Sequence, residues 1–140
     1  ARMVEASSSQ AGGESEADVS SYLKTDVKGW RAGALADVTG GGSFGLAHAQ
    51  IIDGQFTLIA KLGGLPDPAD GYFYEGWLVK RGAELSVIST GRAVRADEDW
   101  YLNVFRSPTD LADHDFYVLT LEPDDDNPAP AEHILEGAIK

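Results

Sequence analysis

The chain has 140 residues, no cysteine and a net charge of −12. Its length fits one domain of ordinary size, and 43% hydrophobic residues suffice for a core. The acidic balance repels phosphate backbones and anionic headgroups, which argues against nucleic acid and direct membrane insertion. The missing cysteines exclude disulfides, thiolate catalysis and Cys-ligated metals. No apolar run approaches the roughly 18 residues of a membrane span.

Residues 1–20 are small and polar, with Ser7-Ser8-Ser9, Gly12-Gly13 and the acids Glu14, Glu16 and Asp18. Such a stretch buries too little area to offset its ordering entropy, so it reads as an arm or tether. A neighbouring subunit taking it up as an added strand would order it, with Val19 and Tyr22 setting the register. Residues 21–140 read as one all-β domain.

Alternation predicts strands over Arg31–Val38, Phe44–Ile52 and Gln55–Leu62. Asp53-Gly54 between the last two predicts a tight hairpin, because a type I′ turn needs positive φ at both central residues. Phe56, Leu58, Ala60 and Leu62 share one face. Gly63–Gly71, with two prolines, is a long turn into the aromatic run Asp70–Lys80. Glycine inside such a run often marks a bulge. A bulge at Gly76 would bring Tyr74 and Trp77 to one face as core anchors. Strands follow at Glu84–Thr90, Arg92–Ala96 and Trp100–Phe105. Ser107-Pro108 predicts a short helical turn. Phe116–Glu122 is apolar on both faces and suits a central strand, with Phe116 and Val118 in the core. Pro123–Pro130 is an acidic, proline-rich loop, and Ala131–Ile139 supplies a last strand. Seven or eight short strands at this spacing predict an immunoglobulin-like antiparallel β-sandwich, with a small closed barrel as the alternative.

The run Gly64-Leu65-Pro66, Gly71, Tyr74, Trp77-Leu78-Val79 and Gly91 resembles the C-terminal extracytoplasmic domain of bacterial anti-sigma-K factors. So does Phe116, Val118, Thr120, Glu122-Pro123, followed by Pro128, Pro130 and Gly137. The match spans about residues 32–138. The resemblance implies a β-sandwich outside the membrane that senses or interacts rather than catalyses. The sequence contains no membrane-spanning run or sigma-binding segment, so the module, and not the anti-sigma activity, is what carries over. The Ser/Gly/Glu-rich arm is similar to a lipoprotein tether.

Candidate chemistry is sparse. Asp124, Asp125, Asp126 and Asn127 offer the oxygens a Ca²⁺ ion takes, without EF-hand spacing. Asp67 and Asp70 form a second acidic group, and Asp110, Asp113 and Asp115 a third. His48, His114 and His133 have no metal-ligand spacing between them. A triad of Ser89, His114 and an aspartate lacks any nucleophile-elbow motif. Trp30 and Trp100 suit core or interface better than a carbohydrate platform. Gly40-Gly41-Gly42 lacks the Lys-Ser/Thr of a phosphate loop.

The expected function is a non-enzymatic, exported cell-surface binding module without cofactor, whose partner is another protein or a second copy. The alternatives are a subunit of a homopolymeric surface filament joined by its arm, and a calcium-stabilised adhesion domain.

Overall fold

A computed structural model of the chain describes residues 20–124 and 131–140. Nine strands appear there: β1 (Arg31–Asp37), β2 (Phe44–Ile52), β3 (Gln55–Gly63), β4 (Tyr72–Lys80), β5 (Ser86–Arg92), β6 (Val94–Arg95), β7 (Trp100–Ser107), β8 (Phe116–Pro123) and β9 (Glu132–Ala138). A 3₁₀ turn at Ser20–Lys24 precedes them. The described residues contain no α-helix. Ser107-Pro108 closes β7 without starting a helix, although the Ser107 hydroxyl accepts the Thr109 N–H at 3.1 Å as a cap would.

The all-β antiparallel class is as the sequence predicts. The strands form one hydrogen-bonded sheet in the order β5-β4-β8-β9-β1-β2-β3-β7-β6, nearly closed into a barrel. Spacing alone predicts two facing sheets. They are joined here because β1 pairs with β2 on one side and with β9 on the other, and β5 runs on through Ala93 into β6. The β2–β3 hairpin turns at Asp53-Gly54, with φ of 51° and 78°. Inside the barrel, Phe56, Leu58, Ala60 and Leu62 from β3 meet Leu35, Tyr74, Leu78, Phe105, Tyr117, Leu119 and Leu135.

The outside of β3 and β7 carries its own cluster. Ile59, Leu102 and Val104 are covered by Tyr22, Leu23 and Trp30. Tyr22 lies against its own barrel, with its hydroxyl bonded to the Arg106 guanidinium. Val19 lies outside the described residues.

The irregularity predicted at Gly76 is present, but on the other strand. Gly76 pairs with Gly91 and Trp77 with Ser89, so the extra residue is Thr90 of β5. On the β8 side the register runs unbroken from Tyr72 to Val79. β4 therefore keeps strict alternation. Tyr74, Gly76 and Leu78 face the interior, while Glu75, Trp77 and Val79 face out. Trp77 does not share the face of Tyr74. Phe116 and Val118 on β8 also point outward, so three of the expected core residues line an outer surface instead.

The bulge has a partner inside. The Asn103 amide on β7 donates to the Thr90 carbonyl at 2.9 Å and accepts from the Thr90 hydroxyl at 2.5 Å and the Tyr117 hydroxyl at 2.7 Å. A bulge leaves backbone groups out of the ladder, and buried ones need a partner. Asn103 is that partner, and its side chain bridges β5 to β7 where no ladder closes the barrel. It fits only because residue 76 has no side chain.

Candidate functional site

The outward faces of β4, β5, β8 and β9 form a groove of about 400 Å³. Its walls are Trp77, Val79, Val87, Phe116 and Val118. Arg81 stands at one end, its guanidinium 4.5 Å from the Phe116 ring centroid and bridged to Asp115 at 3.7 Å. At the other end lie Thr120 and Glu122, with His133 paired to Thr120 on β9, while Glu136 pairs with Val118 along the middle of the groove. The β4–β8 register explains the layout: Val79 pairs with Phe116, Trp77 with Val118 and Glu75 with Thr120. Residues two apart on a strand share a face, so the apolar pairs stack toward Arg81 and the acids follow beyond them.

The acidic end is deep. Glu75 and Glu122 are each only 1% exposed, on neighbouring strands and on the same face. The Ser89 hydroxyl donates to Glu75 at 2.5 Å, and the Thr120 hydroxyl donates to Glu122 at 2.6 Å. The Trp77 indole N–H donates to the Thr120 hydroxyl at 2.9 Å, tying the groove floor to its acidic end. His133 Nδ1 lies 2.6 Å from Glu136 Oε2 at the rim.

The predicted site residues fall elsewhere. Asp124 bridges Arg92 at 3.4 Å, while Asp125, Asp126 and Asn127 lie outside the described residues. Asp67 accepts from the Tyr101 hydroxyl at 2.7 Å and from Arg95 at 2.6 Å, which holds its carboxyl below the ordinary range. Burial, reinforced by that bond to Asp67, pushes Tyr101 up to about 12. This cluster pins the long turn onto the barrel end, as does the Tyr74 hydroxyl on the Pro66 carbonyl at 2.7 Å. Asp113 bridges Lys80 and Asp115 bridges Arg81. No group of three or more metal-ligating side chains gathers among the described residues.

Ser89 turns to Glu75 and not to His114. Ser86 takes that place: its hydroxyl is 2.9 Å from His114 Nε2, and His114 Nδ1 is 2.9 Å from Asp113 Oδ1. The bond to His114 lowers the Asp113 carboxyl. This chain of bonds fastens the 108–115 loop to the start of β5. The groove is walled by Val87, not by Ser86 or His114. His48 sits on the outside of β2, and partial burial lowers its imidazole.

Comparison with known proteins gives no match: no protein-family model, no curated protein and no solved structure matches this chain.

Sequence reasoning missed the groove because it assigned Trp77, Phe116 and Val118 to the core. Strict alternation from Tyr74 to Val79 was the signal that separates the two faces.

Proposed function

We propose that this chain is a non-enzymatic binding module of the cell exterior that holds an extended apolar segment in the groove on β4, β8 and β9. The observation carrying this reading is the groove itself, an apolar trough with a basic and an acidic end on the outer face of a closed core. An apolar concavity with a few polar groups placed at its ends is the usual form of a binding site. From Phe116 to Glu122 it follows six residue steps, about 20 Å along a strand, which suits a short extended peptide. The exported location, and a kinship with immunoglobulin-like anti-sigma-K extracytoplasmic domains, belong to the same proposal. They are supported by the order of the motifs around Trp77 and Glu122-Pro123.

The test is a titration of ¹⁵N-labelled full chain with a capped synthetic peptide of one basic, two aliphatic and one acidic residue. Amide shifts confined to β4, β5, β8 and β9, abolished by Val79→Lys, are the expected result. No shift at millimolar peptide, or shifts unaffected by Val79→Lys, would refute the groove as a binding site.

A further inference from the structure

We infer that the occupant of the groove is a segment of this same chain, Arg2-Met3-Val4-Glu5. The inference rests on the groove being a binding site and names what fills it.

The argument begins with charge along an axis. Travelling along the groove, the lining passes from Arg81, through Val79, Trp77 and Val118, to Glu122. Glu75 lies on the same face one strand over, and Glu136, which pairs with Val118, turns its carboxylate to His133, which pairs with Thr120. An extended occupant that matches this lining reads basic, apolar, apolar, acidic, with its basic residue at the Glu122 end. Arg2-Met3-Val4-Glu5 has that order. Arg2 is the single basic residue among residues 1–19, and Met3 is the only methionine of the chain. Methionine, unbranched and polarizable, fits an irregular trough with aromatic walls such as Trp77 and Phe116. A guanidinium among buried carboxylates makes strong charge-assisted hydrogen bonds. Elsewhere the chain is acidic, with a net charge of −12, so a cationic segment is also what its field attracts.

Reach allows it. The described chain begins on the outside of β3 and β7, where Tyr22 and Leu23 pack, on the wall opposite β8 and β9. The sixteen steps from Ser20 back to Val4 span up to about 50 Å when extended. A domain of this size is about 35 Å across. The segment can thus reach round its own barrel.

The cysteine-free sequence makes a clean test. Full chain carrying Met3→Cys with Val79→Cys is oxidised beside full chain carrying Met3→Cys with Phe44→Cys, the latter on the exposed outer face of β2. Cross-linking to position 79 is expected at least tenfold faster than to position 44. A cross-linked monomer on a non-reducing gel places the segment in its own groove and is the expected result; a cross-linked dimer would make a second copy the occupant and overturn the inference. Adding Arg2→Glu is expected to slow the position-79 reaction several-fold. Equal rates to positions 79 and 44, or no effect of Arg2→Glu, would overturn it. Val87→Cys on the other wall replaces Val79→Cys if that variant fails to give the folded near-ultraviolet spectrum. Peptide shifts in the groove alongside equal cross-linking rates would leave the binding site standing and remove only this occupant.

Discussion

Replacing Gly76 by alanine should unsettle the barrel at its seam. An ideal Cβ there lies 1.9 Å from Asn103 Oδ1, 2.5 Å from the Thr90 hydroxyl and 2.5 Å from the Tyr117 hydroxyl. All three atoms belong to one buried network, so the methyl must drive Asn103 out of place. Overpacking a tight interior costs about 1–3 kcal/mol. A displaced Asn103 also abandons the Thr90 carbonyl at the bulge, and a buried group left without its partner costs about 1–3 kcal/mol more. The sum is about 2–6 kcal/mol, and at roughly 4 °C per kcal/mol for a domain of this length the midpoint falls by about 8–24 °C. Urea unfolding followed by tryptophan fluorescence and by far-ultraviolet circular dichroism measures it. The decisive comparison is the cycle with Asn103→Ala. If the clash with Asn103 is the cause, the double variant loses less than the sum of the singles. Strict additivity, or a loss for Gly76→Ala under about 1 kcal/mol, would refute the reading of the seam.

Two further outcomes follow from titrating groups. Asp37 accepts hydrogen bonds from the hydroxyls of Ser43 and Thr39 and from the backbone N–H groups of Thr39, Gly41 and Ser43, which hold its carboxyl far below the ordinary 3.8. A depressed acid stabilises the fold above its unfolded value. That share is therefore present at pH 5 and lost as pH falls below about 4, and Asp37→Asn should lower the neutral-pH melting temperature and shrink its acid dependence. An unchanged melting profile would show that the β1–β2 loop does not depend on it. Burial raises Tyr117, Tyr74 and Tyr101, the last to about 12. A raised acid stabilises the fold below its unfolded value near 10, so stability should decline as pH climbs from 10 toward 12. Alkaline difference absorbance should show three of the five tyrosines ionising only above pH 10 or on unfolding; five ionising together near 10 would contradict the burial.

Much of the architecture is legible in local pattern. β2, the Asp53-Gly54 turn and the inward face of β3 follow from period-2 alternation and the φ a type I′ turn demands, both properties of a few adjacent residues. The groove was not legible in the same way. Trp77, Phe116 and Val118 are as apolar as any core residue, and hydrophobicity does not say which side of a sheet a residue faces. Trp77 and Val118 are 3% and 6% exposed although they point away from the barrel interior. Burial on its own, then, would not have separated groove from core either.

By itself the sequence determined the all-β class, the strand positions to within a residue or two, the acidic surface and the absence of thiol chemistry. Those depend on side-chain period, turn geometry and composition, which need no knowledge of distant contacts. Tertiary structure decided that nine strands share one sheet, that the bulge residue is Thr90, and that Ser86, not Ser89, meets His114. It also decided that the aromatic run around Trp77 builds an outer groove. Each of these turns on which strand pairs with which and in what register, and a one-residue shift in register exchanges the two faces of a strand.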